Sequence, residues 1–337
     1  MPAFQVTDVR AAGSRASARG CAPRALGSAF VTIFVALACG AGARADPLES
    51  IVESLKASEI RFPRASSNVP LPRIAVLQAV DYGATELRLP ESIGGSLKVD
   101  QTMLEQGAAV PIFAGRRDLF LVGEWLSYAD FDSHASGFDS FHVLTVGVPV
   151  GWLHQSSEKR QIAAFAFPLA HKASLPRASW SYEAMMGLFG RYVQTDDFWW
   201  VFGVFADIGA IDDYVLPYVG ASWNLNEEWT LSAILPWPAV SYAPRPDVLF
   251  RLGASPSGTS WTLDAAHADV AMNLSTWDLG LSASYRVHGN VWVSIEAGVG
   301  GFGGLSISDS GVDGPDLESR SSGYVTVGIG YRPSADF

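Results

Sequence analysis

From Trp229 to Trp237 the chain alternates strictly, with Trp229, Leu231, Ala233, Leu235 and Trp237 on one side and Thr230, Ser232, Ile234 and Pro236 on the other. A period of two is the side-chain period of a β-strand. The apolar side begins and ends in Trp, eight residues apart. At about 3.3 Å per residue and a tilt of about 40°, that separation climbs roughly 20 Å. This is the height of the apolar band of an outer-membrane barrel between its two aromatic girdles. Trp277 and Tyr285 repeat the spacing on the apolar side of the run from Trp277 to His288. Opposite them on that run stand Asp278, Gly280, Ser282, Ser284, Arg286 and His288.

Composition narrows the choice of environment. Charged residues are 17% of the chain, against roughly 25% in ordinary soluble proteins. Beyond Ala45 no apolar run is long enough for a membrane-spanning helix, which leaves a closed β-barrel as the leading way to satisfy the backbone in lipid. A secreted β-sandwich is the soluble rival. The net charge of −11 argues against nucleic acid as a partner. Outer-membrane lipid is the expected partner instead.

The first 45 residues read as a secretory signal peptide. Arg10, Arg15, Arg19 and Arg24 form the basic region, Ala29 to Ala38 the apolar core, and Ala43-Arg44-Ala45 the cleavage pattern before Asp46. A lipid-anchored start at Cys39 fits less well, because Leu37 lies beside the required position. Both cysteines, Cys21 and Cys39, fall in this segment, so no disulfide is expected after cleavage. Residues 46–72 form a separate N-terminal segment. Asp46, Pro47 and Glu49 resemble a helix start, and Leu48, Ile51, Val52 and Leu55 share a helical face, which predicts a short helix over Pro47–Ser58 and then a linker. The segment is either a lumen plug or a frayed periplasmic tail, and the tail is the expectation because chain ends are usually loose.

Residues 73–337 read as an all-β, antiparallel up-and-down transmembrane barrel of about 14 strands, with 12 as the alternative. Strands are expected near 73–82, 96–112, 117–130, 139–153, 159–171, 180–194, 198–210, 214–225, 229–242, 247–255, 259–265, 276–288, 291–305 and 322–332. Short turns such as His288-Gly289-Asn290 alternate with longer links, as in barrels with periplasmic turns and external loops. The parity is kept by two choices. The run 229–242 is one strand, bent at Pro236 and Pro238, and 247–265 is two, broken at Pro256-Ser257-Gly258. In the last strand Val325, Val327, Ile329 and Tyr331 face outward. Phe337 has the same parity and ends the chain, which suggests docking to the barrel-assembly machinery, although Pro333 interrupts the pattern.

Tyr218 to Gly253 also carries a resemblance. Its short Asn/Glu turn, Trp-led strand, Leu-Pro-Trp-Pro, Val-Ser-Tyr and Leu-Phe-Arg-Leu-Gly resemble a family of bacterial outer-membrane β-barrel proteins known as a domain of unknown function. The resemblance covers about residues 70–337. It implies a fold and a membrane and brings no catalytic residues.

The inward-facing charges are Glu183, Arg191, Asp207, Asp278, Arg286, Glu296 and Arg332. In the plain reading they line a wet lumen. In the functional one they form a polar constriction or ion-pair cluster that governs a small solute, with Asp278, Arg286 and Glu296 foremost. Their mixed signs favour a cluster over a ring selecting one sign. The six His residues are scattered, and no Ser–His–acid pattern of a lipid hydrolase is present. Gly298 to Gly303 matches a dinucleotide fingerprint literally, but no helix follows it. Asp309, Asp313, Asp316 and Glu318 lack the spacing of a calcium loop. No cofactor or metal is expected. The expectation is a narrow or plugged channel-type barrel in the outer membrane, with a structural or adhesion barrel as the alternative and a lipid-modifying enzyme behind both.

Overall fold

The computed structural model describes residues 54, 57–61, 67–88, 96–133, 140–209, 213–265, 268–309, 312–313 and 317–333. The expected signal peptide, most of the expected helix and Phe337 lie outside the described residues.

The chain from Ala75 onward is a closed antiparallel barrel of 14 strands. They are β1 (Ala75–Arg88), β2 (Ser96–Ala114), β3 (Asp118–Ser133), β4 (Phe141–Gly147 and Val150–Ser157), β5 (Arg160–Ala173), β6 (Ala178–Thr195) and β7 (Phe198–Ile208). There follow β8 (Asp213–Asn224), β9 (Trp229–Leu235), β10 (Ala239–Arg245), β11 (Val248–Ala265), β12 (Ala268–His288), β13 (Val291–Asp309) and β14 (Leu317–Arg320 and Ser322–Tyr331). Each strand pairs with the next, and β1 returns to β14, with Ala75 opposite Tyr331 and Tyr82 opposite Tyr324. Both described ends of the barrel chain lie at the end where the turns are shortest.

Alternation sorts the side chains as period two demands. On β12, Leu279, Leu281, Tyr285 and Val287 are about half exposed on the outer face, while Asp278 and Ser284 of the inner face are buried. The outer face is apolar elsewhere too, with Val110, Ile112, Phe202, Val293 and Ile295 all exposed. A soluble sandwich would bury such a face; here it covers the outside of a closed wall. Near the short-turn end Trp229 stacks on Tyr242 at 4.5 Å and Tyr242 on Phe250 at 6.2 Å, a continuous aromatic belt.

The strand number agrees with expectation, but two divisions differ from it and cancel. The run 229–242 is not one strand: β9 and β10 are a hairpin reversing at Pro236-Trp237-Pro238. Two prolines without N–H donors end the ladder there. Trp237 turns inward, 5.2 Å from Phe205 and 5.4 Å from Tyr218. Conversely, 248–265 is one unbroken strand through Pro256, which pairs with Trp277 of β12. Ala254 directs its N–H to Pro238 O on the β10 side. Pro256, two residues on, has its nitrogen on that same side, where β10 has already ended, so no donor is missed.

The wall is therefore uneven in height. β9 and β10 pair over four residues only, Trp229–Ser232 against Ala239–Tyr242. The pairing of β8 with β9 stops at Val219 and that of β10 with β11 at Gly253. Higher up, Ser179 and Ala178 of β6 pair directly with Thr262 and Leu263 of β11, past the shorter strands.

Both ends of the bore are occupied. At the far end Ala129, Phe131, Val143 and Ala173 form a buried apolar core against Met272, Leu274 and Leu305 from the opposite wall. At the short-turn end the described residues of the N-terminal segment lie in the mouth. Glu59 N donates to Arg116 O (2.6 Å), Arg61 N to Gln155 Oε1 (3.0 Å) and Asn68 N to Glu227 O (2.7 Å). Asn68 Nδ2 also donates to Ala243 O at 3.2 Å, and Arg332 Nη1 donates to Leu71 O at 3.1 Å. Ile60 and Leu71 are buried, and Val69 packs on the core of Ala243, Leu249 and Trp292. Where a frayed tail was expected, the described residues of the segment are tied to the rim, because backbone groups of Glu59, Arg61, Asn68 and Leu71 find partners there.

Candidate functional site

Between the two occupied ends lies a cavity of about 310 Å³. Its wall alternates as a barrel lumen must, with Gln78, Val80 and Tyr82 of β1, Phe167, Leu169 and His171 of β5, and Tyr214 and Leu216 of β8 facing in. Among the described residues five carboxylates line it, those of Glu105, Glu183, Asp207, Asp278 and Glu296, and no Lys or Arg does.

Each carboxylate accepts from a neutral neighbour. Tyr82 OH donates to Asp278 Oδ2 (2.6 Å), and the Gly301 N–H to its Oδ1 (3.2 Å). Tyr324 OH donates to Glu296 Oε1 at 2.5 Å and Gln78 Nε2 to Glu105 Oε2 at 2.6 Å. Across the cavity Ser260 Oγ donates to Glu183 Oε2 (3.0 Å), and Tyr214 OH to Asp207 Oδ2 (3.0 Å). His171, buried, shares a hydrogen bond with Thr145 Oγ1 through Nδ1 (2.8 Å) and sets Nε2 3.4 Å from Glu183 Oε2. A carboxylate given one donor by the protein keeps lone pairs for a guest. The space can be tight: a Cβ at Gly280 would come 2.1 Å from Tyr324 Oη, so that glycine makes room for the Tyr324–Glu296 pair.

Aromatic rings form the other part of the lining. Phe205 lies 6.1 Å from Tyr214 and 5.2 Å from Trp237. Tyr82 lies 5.5 Å from Tyr324. The indole N–H of Trp237 is buried and has no partner among the described residues.

Of the seven charges expected in the lumen, the four acids Glu183, Asp207, Asp278 and Glu296 come together around the cavity, and the three arginines do not. Arg191 Nη2 donates to Arg61 O (2.6 Å), holding the N-terminal segment. Arg332 lies over the Trp292 ring at 5.4 Å, in the same mouth. Arg286 stands opposite Trp292, near the short turn, while Glu296 stands opposite Ser282, nearer Asp278. Arg73, within the mouth, feels both Glu105 and Glu296. The expected cluster of mixed sign is thus sorted by height, with acid in the middle of the bore and base at the short-turn end. The sequence put Tyr324 on the inward face of the last strand without giving it a role, and Glu105, Tyr82 and His171 were missed. For Tyr82 and His171 the available signal was the inward parity of β1 and β5. Among the described residues, no group of three or more His, Cys, Asp or Glu is placed to hold a metal ion.

No family model and no curated protein matches the chain. Several solved barrels are similar in overall form. An outer membrane channel from Pseudomonas putida F1 shares 11% identity over 81% of this chain and 100% of that one, with a TM-score of 0.44. The translocator domain of the autotransporter NalP from Neisseria meningitidis shares 9% over 85% and 96%, with a TM-score of 0.37. The Pseudomonas putida toluene transporter TodX shares 10% over 83% and 93%, with a TM-score of 0.32. Channel and translocator barrels thus stand side by side among these likenesses.

Proposed function

We propose that the protein is an outer-membrane barrel of the channel type, which holds a small solute in the middle of its bore and is closed on the periplasmic side by its own N-terminal segment. The observation that carries this reading is the acid-lined cavity in mid-bore, to which Met103 and Leu274 of the apolar core contribute, together with the N-terminal segment seated on the short-turn rim. Its apolar outer face suits lipid, and the short-turn end takes the periplasmic side, as is usual for barrels of this class. Single-channel recording in planar bilayers tests the reading. Intact protein should be silent or nearly so, protein lacking residues 46–72 should conduct, and Glu296→Gln in the shortened chain should change its conductance. Silence of all three leaves a structural barrel as the better account.

A further inference from the structure

One sector of the wall breaks the rule that only alternate residues face the cavity. On β11 the consecutive residues Ser255, Pro256 and Ser257 all line it, and on β12 so do Asn273, Leu274 and Ser275. Adjacent residues of a strand point to opposite faces, so the cavity extends onto both faces of the β11–β12 hairpin. Pro256 and Ser275 share the outer face with Leu252 and Leu279, and all four are exposed.

The ladders show why. Above Val219, β8 has no β9 partner, and above Gly253, β11 has no β10 partner. These two free edges flank a gap floored by the Pro236–Pro238 turn and closed above by the β6–β11 pairing. The upper part of β11 passes behind the neighbouring wall, where Ser260, of outer parity, reaches Glu183 on the inner face of β6. Trp237 stands at the threshold against Phe205 and Tyr218. Unpaired strand edges are not tolerated against hydrocarbon but are tolerated along a cavity. Val215 and Leu235, beside the gap, are exposed and apolar.

We infer that this seam is a side mouth of the cavity, opening toward the lipid just above the β9–β10 hairpin. It admits small solutes with an apolar body and a hydrogen-bond donor. Aromatic rings at the threshold receive the body, and the carboxylates of Asp207, Glu183 and Asp278 accept the donor. The inference rests on the cavity reading above and adds the route and the solute class.

Thiol labelling tests it, in full-length protein with Cys21 and Cys39 replaced by Ser, reconstituted in phosphatidylcholine vesicles. Ser257→Cys puts one thiol inside the seam, and the heat-induced shift of the folded barrel on gels verifies folding. An uncharged, lipid-soluble maleimide should label it faster than a sulfonated maleimide of similar size, and Trp237→Ala should raise the lipid-soluble rate several-fold. Ser284→Cys, inward but below the seam, should remain slow to both. A Ser257→Cys thiol that reacts with neither reagent until the barrel is unfolded overturns the inference, as does one that prefers the sulfonated reagent. Labelling as expected from a barrel silent in all recordings would keep the mouth and remove the channel, so the two readings fail separately.

Discussion

The Tyr82–Asp278 contact shows how the inner wall is held. A buried carboxylate that loses its donor costs about 1–3 kcal/mol, so Tyr82→Phe should lower the free energy of unfolding, read from a urea titration in detergent, by that order. Asp278→Asn combined with Tyr82→Phe should be less than additive, because the two residues share one interaction. At the mouth, the Arg117 guanidinium that donates to Glu59 Oε2 at 2.6 Å holds that carboxyl below its ordinary value of 4.5. A depressed carboxyl stabilises the docked segment above its undocked value, and the gain is lost as pH falls through the lowered one. A spin label on Ser58 should therefore be immobile at neutral pH and become mobile only below about pH 4.5, and Glu59→Gln should remove that transition. Residue by residue, Asp278 and Glu296 were legible because their strands carry a clean apolar opposite face. Glu105 was not: Gln101, Thr102, Glu105 and Gln106 put polar groups on both faces of β2, and Gln106 proves buried, donating to Glu124 at 2.9 Å. The arginines were legible in facing but not in height. Parity names a face, and only register says how far along the bore a side chain stands.

At the scale of the element, proline is where the sequence was hardest to read. Pro236 and Pro238 end two strands, whereas Pro256 ends none, and the difference lies in whether the missing N–H would have met a partner. That depends on the length of β10, a neighbour in the sheet, and no local pattern contains it. Strand existence and the inner faces were plain over 277–288 of β12, 291–300 of β13 and 322–331 of β14, where apolar outer residues alternate with mostly polar or glycine inner ones. Over 268–275, expected as a link, the pattern reverses, with Met272 and Leu274 turned inward and Ser275 outward. Glycine marks the closest approach in the low wall. A Cβ on Gly220 of β8 would lie 2.1 Å from Ala233 O and 2.6 Å from Ile234 Cα of β9, both backbone atoms. Gly220→Ala should cost about 1–3 kcal/mol as overpacking does, read as a lower temperature for the gel shift of the folded barrel. Since β9 and β10 share only four pairs, the loss should fall on that hairpin, and its amides should exchange before those of β12 and β13.

For the molecule as a whole, the apolar outer wall predicts that folded protein fractionates with membranes and needs detergent to leave them. Recovery from an aqueous periplasmic fraction would contradict the barrel's placement in lipid. The sorting of charge along the bore has an electrical consequence. Five carboxylates lie at mid-height, with Arg251 in register beside Glu296, so the middle of the bore keeps a net negative charge. Arg73, Arg191, Arg286 and Arg332 lie toward the short-turn end. A mobile cation on the axis therefore meets a potential well and then a hill, and low-dielectric walls focus both. Once residues 46–72 are removed, such an asymmetric profile makes the pore a diode. Its current under symmetric salt should rectify, and reversing the voltage should not return the same magnitude. Screening by high salt should flatten the difference.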